Sequence, residues 1–256
     1  MINDKIGITR KSEGEYFGNI LEGAGVDDSA VKAALMLKFM DLTLKRNEVV
    51  NLTSITDRDE FIVNHLLDSI SCFGWEEIKT AKNVVDVGAG AGFPGLPLAI
   101  LYPDKEFLLM DSLNKRVEFV REAVSALGLG NVRAEHCRAE DAGASKDYRE
   151  RYDLCVSRAV AGLPTLLEYC LPFVRVGGSF YAYKTVKTME EIEGSKIALG
   201  LLGAAPDIEV REPQIIGEAS VIGYGHKIFV VKKIRPTPKT YPRKAGTPKK
   251  VPLHDV

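Results

Sequence analysis

The stretch VVDVGAGAGFPG, residues 84–95, constrains this chain more than any other. β-Branched residues run into Gly88, Gly90, Gly92 and Gly95, and the apolar segment LPLAI follows at once. That order reads as a buried strand, a sharp turn and a helix. Glycines are needed in the turn because the backbone must bend tightly and approach a ligand with no Cβ between them. The helix then opens with unpaired N–H groups, which favour an anionic group such as a carboxylate or phosphate. Asp111 ends the next predicted strand, 23 residues after Gly88, where a carboxylate can accept both hydroxyls of a ribose.

The surrounding pattern agrees with such a turn. Past Lys82, strands over 84–87, 106–111, 132–135, 152–157 and 178–184 alternate with helices over 96–102, 114–127 and 163–171. Alternation of this kind implies parallel strands, right-handed crossovers and helices on both faces. The ending departs from it. Thr188 and Glu191 form a capping-box pattern, and 208–216 and 226–234 read as two strands joined by a glycine-containing loop. We therefore expect an α/β, Rossmann-like sheet ending in an antiparallel hairpin.

The first 80 residues read as a helical extension. Asp28-Ser29 can cap a helix whose face is Val31, Leu35, Phe39 and Leu42. Asp57 and Glu60 form a second capping box before 61–73, with Ile62, Leu66 and Ile70 on one face. NEVVNLTSIT between them is a loop pattern. Pro236, Pro238, Pro242 and Pro248 argue against regular structure in the tail. The expected organisation is 1–80 helical region, 81–235 α/β domain and 236–256 basic, proline-rich tail.

The four cysteines include no C-x-x-C pair, which speaks against a zinc ribbon or a disulfide framework and suits a reducing cytosol. No apolar run approaches the length of a membrane span, and no signal core opens the chain. Neither a membrane nor a metal is expected. The chain carries 34 basic and 35 acidic residues, yet eight of the basic ones lie in Lys232–Lys250 with no acid among them, leaving the remainder nine acids in excess. A basic tail on an acidic body suits contact with a polyanion; a merely solvated terminus is the plain alternative.

Two ligands fit the glycine turn. Residues 90–95, GAGFPG, match the dinucleotide pattern G-x-G-x-x-G. Asp86 followed by Gly88, Gly90 and Gly92 instead resembles the first motif of S-adenosylmethionine-dependent methyltransferases, whose sheets also end in an antiparallel hairpin. A closer resemblance joins NLTSI (51–55), HLLDSI (65–70), DVGAGAGFPGLPLAI (86–100), LLMDSLNKRVEFV (108–120), VSRAVA (156–161) and YPRKAGTPKKVPL (241–253). Together these resemble the bacterial RsmG (GidB) family, which methylates N7 of a guanosine in the decoding-region loop of 16S ribosomal RNA.

The resemblance implies S-adenosylmethionine as donor and S-adenosylhomocysteine as product. It places Gly88, Gly90, Phe93, Asp111, Ser112, Ala139, Glu140 and Arg158 around the donor. The partner it implies is 16S rRNA or the small ribosomal subunit, in the cytoplasm. Guanine N7 has a lone pair and no proton, so no general base is needed. The marks of other acceptors are missing: there is no Pro-Pro for exocyclic amines and no cysteine beside proline for pyrimidine C5.

His65, Asp68 and Ser69 share a helical face. It reads either as a buried structural cluster or, with Asn51 and Thr53, as the entrance for a base. Arg158, His65 and Lys184 are the positioning candidates, with a surface salt bridge as the plain reading of Arg158. Lys239, Arg243, Lys244, Lys249 and Lys250 are the candidates for RNA contact, in an arm separate from the donor site. A small-molecule methyltransferase and a noncatalytic RNA-binding protein are the competing functions.

Overall fold

The computed structural model describes residues 10–158, 160–214 and 226–254. Helices α1 (Arg10–Gly23) and α2 (Ser29–Asn47) come first. A helical run follows, built of α3 (Arg58–Phe61), a π-helical turn (Ile62–Leu67) and α4 (Asp68–Ile70), and then α5 (Glu76–Thr80). The sheet begins with β1 (Asn83–Val87), α6 (Gly95–Leu101), β2 (Glu106–Asp111), α7 (Asn114–Leu127) and β3 (Val132–His136). It continues through α8 (Ala139–Ala144), β4 (Tyr152–Arg158), α9 (Leu163–Cys170) and β5 (Val174–Thr185). Last come α10 (Lys196–Leu202), β6 (Glu209–Arg211), β7 (His226–Lys232) and α11 (Thr247–Lys250).

The strands form one sheet in the order β3-β2-β1-β4-β5-β7-β6. β1 to β5 are parallel, and β7 runs antiparallel to both β5 and β6. Strand order reverses between β1 and β4, so ligands are expected at the carboxyl ends of those two strands.

The alternation of side chains along each strand builds two cores. Val84, Leu109, Val156 and Tyr181 face a core shared with Phe17, Phe39, Phe61 and Phe119. Val85, Leu108, Cys155 and Phe180 face the other, with Leu166, Leu167 and Leu199. The N-terminal helices thus share a core with the sheet, packing on α6 and α7.

Several local expectations change. Asp28 takes a left-handed backbone (φ 52) and makes no capping bond, because Gly25 to Asp28 close the turn after α1. The buried stripe of α2 is Ala33, Met36, Leu37, Phe39, Met40 and Thr43; of the expected face Phe39 lies within it, Leu35 and Leu42 are half-buried, and Val31 is exposed. The Asp57 cap is present, its side chain accepting from Glu60 N at 3.1 Å. Thr188 caps nothing: its hydroxyl donates back to Thr185 O, and two tight 3-10 turns occupy that stretch. The loop of the terminal hairpin, including 215 and 216, lies outside the described residues.

The tail is not a free arm among its described residues. The Arg149 guanidinium donates to the carbonyls of Gly143, Thr237, Pro238 and Tyr241. Lys233 is buried and donates to Leu171 O. Despite Pro248, residues Thr247–Lys250 form a helical turn, with the proline in its first turn where no N–H is missed.

Candidate functional site

Two adjoining cavities open at the carboxyl ends of β1, β2 and β4, and they share Gly88, Asp111, Ser112 and Val160. The first, of about 270 Å³, is lined by Met110, Ala139, Glu140, Tyr169, Gly246 and Lys249 among others. The second, of about 360 Å³, adds Leu52, His65, Gly90, Phe93, Arg116 and Arg158.

The glycine turn makes the shared floor. Gly88 has φ 75, and a Cβ there would stand 2.5 Å from Val160 Cγ2. At Gly95 the constraint is space: a Cβ would lie 2.7 Å from Asp86 Oδ2 and 2.8 Å from Leu109, so helix α6 could not sit down on the sheet. Asp86 is fully buried beneath the turn, and Oδ2 accepts from Gly95 N at 2.8 Å. Burial pushes its carboxyl well above the usual carboxylate range.

Asp111 closes β2 as an organiser of the loops. Its Oδ2 accepts from Gly90 N at 3.0 Å and its Oδ1 from Leu113 N at 2.8 Å. The second lone pair of each oxygen is available to a ligand hydroxyl. Open space lies beside Gly90, where a side chain would project into the second cavity. These features fit a nucleoside whose ribose meets Asp111 and whose base lies toward Ala139 and Glu140. The first cavity also contains the Glu140 carboxylate, an acceptor of the kind that pairs with an exocyclic amine.

On the far side of Gly88 the wall is a chain of side chains. Phe93 stacks on His65 (centroids 4.7 Å, 17° between planes) and packs on Phe39 and Phe61. Arg158 lies over the Phe93 ring at 5.1 Å. Its Nη1 donates to Asp68 Oδ2 at 2.8 Å and to Asn64 O, while its Nη2 donates to His65 Nδ1 at 3.0 Å. A neutral His65 protonated on Nε2 satisfies this geometry, since Nε2 meets Thr53 Oγ1 at 2.7 Å. Burial, and then the Arg158 charge, lower the His65 pKa to about 4. Asp68 also accepts from His226 Nδ1 at 2.7 Å. Burial alone would raise the Asp68 carboxyl, but the His226 bond and the Arg158 charge hold it low. The same bond to Asp68 raises His226.

The structure gathers Gly88, Gly90, Phe93, Asp111, Ser112, Ala139, Glu140, Arg158 and His65 around the two cavities, with Thr53 behind His65. Arg158 is an interior clamp rather than a surface salt bridge. Others stand elsewhere. Asn51 is exposed and lines neither cavity, and Ser69 hydrogen-bonds the carbonyl of His65 within its own helix. Lys184 is held by Glu191 and the carbonyl of Ala161. Arg243 is committed to the fully buried Glu168, with which its guanidinium forms an ion pair while its backbone N–H donates to the same carboxylate. Lys239, Lys244, Lys249 and Lys250 are exposed. Sequence reading misses His226, Arg116, Leu52, Val160 and Gly246; His226 opens β7, 158 positions from Asp68, and no local pattern marks the pair.

A sheet of this order, with a glycine turn after β1 and an acid closing β2, defines a class I, Rossmann-like methyltransferase fold. Solved structures agree on the fold. An O-methyltransferase from Klebsiella pneumoniae, described as putative, matches with a TM-score of 0.53 at 14% identity, covering 88% of this chain and 99% of that one. An O-methyltransferase family protein from Burkholderia thailandensis gives 0.50 at 13%, covering 90% and 64%. The family model for GidB, rRNA small subunit methyltransferase G, matches residues 32–209. Ribosomal RNA small subunit methyltransferase G of Alkaliphilus metalliredigens is 45% identical over 90% of this chain and 94% of its own length. Its namesake from Clostridium perfringens is 44% identical over 91% and 95%. The chain belongs to the rRNA small subunit methyltransferase G family. Among the described residues, no helix is long and apolar enough to cross a membrane, and no group of three or more potential ligands is placed to hold a metal.

Proposed function

We propose that this protein transfers the methyl group of S-adenosylmethionine to N7 of a guanosine in the decoding-region loop of 16S ribosomal RNA. Its substrate would place it in the bacterial cytoplasm. When bound, the donor supplies an electrophilic methyl on a cationic sulfur. The ribose hydroxyls suit Asp111, and the adenine suits the cavity between Ala139, Glu140 and Tyr169. The second cavity, which shares Gly88 with the first, would then be where a base is presented to the donor beside Leu52 and His65.

One observation carries the choice of acceptor: among the described residues lining the second cavity, none is a free base. Its imidazole, His65, is engaged at both nitrogens, and its carboxylate, Asp111, accepts two backbone N–H groups and would give its remaining lone pairs to the ribose hydroxyls. An acceptor that must lose a proton would be poorly served here, whereas guanine N7 has none to lose. What remains for the protein is positioning, and holding two reactants at near-attack distance can lower a barrier by roughly 7–11 kcal/mol. Arg158 brings a fixed cation, and Asp68 offsets its charge so that a base gaining positive charge is not repelled.

The RNA would be drawn by Lys239, Lys244 and Lys250, with Arg116 at the mouth of the second cavity, whereas Lys249 lines the first cavity. The decisive test incubates the protein with labelled donor and small subunits lacking the modification, then maps the methylated nucleotide. A single guanosine carrying methyl on N7 is expected. Label on a C5 or an exocyclic amine, or turnover of small metabolites without RNA, would overturn the assignment.

A further inference from the structure

The sequence suggests an RNA arm set apart from the donor, yet the C-terminal segment closes the first cavity. Gly246 N donates to Glu140 Oε1 at 2.8 Å, so the backbone of the segment is joined directly to the carboxylate expected to meet the adenine. Gly246 and Lys249 both line that cavity. The segment is also firmly seated. Thr165 Oγ1 donates to Pro248 O at 3.0 Å, from a side chain buried in α9. Arg243 reaches past it to Glu168, which is wholly enclosed, and Arg149 ties down the stretch before it. A strap anchored from three sides beside a ligand cavity is part of that cavity's wall.

We infer that residues 241–251 form a working wall of the donor site, with Lys249 and the Glu140–Gly246 contact on the adenine side, so that donor affinity depends on this strap when no RNA is present. The chemistry is complementary. Glu140 spends Oε1 on Gly246, which leaves Oε2 for the exocyclic amine of a purine. Lys249 adds an ammonium to the same cavity, a donor for the acceptor nitrogens of the ring. A loose, solvated tail would leave this side of the nucleoside in water. The inference rests on the donor assignment above, and its test separates the two.

Calorimetric titration with S-adenosylhomocysteine and with free adenosine reads the interaction directly, without methyl transfer. Lys249 is exposed, so Lys249→Ala leaves folding intact, and it should weaken both ligands by about tenfold. Thr165→Val frees Pro248 O without touching the ligand; both ligands should weaken by about fivefold while the melting temperature reports the fold. Lys82→Ala removes an exposed cation at the opposite end of β1 and should change neither affinity. Equal losses for adenosine and for the full product place the interaction on the nucleoside. If Lys249→Ala and Thr165→Val both bind within twofold of the parent, the strap is no part of the site. If the unaltered protein binds neither ligand, the donor assignment itself falls, and the strap proposal with it.

Discussion

The cavity has two unlike sides. Toward β2 and β3 it is built from backbone: a glycine turn, two loop N–H groups gathered by Asp111, and a C-terminal strap joined to Glu140. Toward the N-terminal helices it is built from side chains drawn from Thr53, His65, Asp68, Phe93, Arg158 and His226. The first side can be damaged by adding a Cβ. The second can be damaged by the loss of a charge, because its members hold one another. On the proposed function, the nucleoside would be met by the rigid side, and the acceptor by the side assembled from distant segments.

Gly88→Val should give the largest effect. A Cβ at φ 75 is strained, and its contact with Val160 would push that side chain into both cavities. Donor affinity by calorimetry should fall by about a hundredfold or more, and unchanged affinity would remove the glycine turn from the donor site. Next comes Arg158→Ala, which leaves Asp68 buried with His226 as its remaining partner. Denaturant unfolding should show a loss of about 3 kcal/mol, since removing one partner of a buried pair strands the other. Asp68→Asn combined with Arg158→Met should recover stability. Turnover that stays low in that double variant would assign Arg158 to the donor or the base; turnover that recovers would make it a clamp alone.

The difference between the two sides is also the difference in what the sequence reveals. The glycine turn, Asp111 and the alternation of strands and helices are local patterns, and each follows from a backbone requirement that few residues meet. The ends of α7, at Asn114 and Leu127, fall where periodicity and a following glycine put them. The α2 stripe keeps Phe39, with Leu35 and Leu42 half-buried beside it, but it turns so that Ala33 and Met36 also pack inside while Val31 stays outside. His65 and Asp68 belong to one helical face in the sequence, but their joint purpose depends on Arg158 and His226, which arrive from β4 and β7. The tail misleads for a related reason. Prolines and lysines describe a soluble surface, and nothing nearby announces the buried Glu168 that captures Arg243.

pH separates the two histidines of the side-chain wall. His65 in the folded protein has a pKa of about 4, below the ordinary 6.5. The unfolded chain therefore binds more protons between those values, and stability should fall as pH drops from 6.5 to 4. His226 runs the other way: its raised pKa contributes stability that is full below 6.5 and fades as pH rises through its folded value. Melting curves of His65→Gln should lose part of the acid-side fall. A slope between pH 4 and 6.5 identical to the parent's would contradict the neutral, buried imidazole.

The smallest expected effect concerns the cations. Lys244→Ala with Lys250→Ala should leave adenosine binding intact and make the plot of log RNA affinity against log salt shallower, by roughly 0.7–0.9 for each phosphate no longer neutralised. Filter binding at several salt concentrations checks this, and coincident slopes would take these lysines off the RNA path.

The division of the cavity can be tested most directly by a crystal structure with S-adenosylhomocysteine and a guanine nucleotide bound together. The ribose is expected on Asp111, the adenine between Ala139, Tyr169 and Gly246, and the sulfur over Gly88. The guanine should lie beside Leu52 and His65 with N7 turned toward the sulfur. Adenine density on the His65 side, or a guanine presenting its amine in place of N7, would contradict this division.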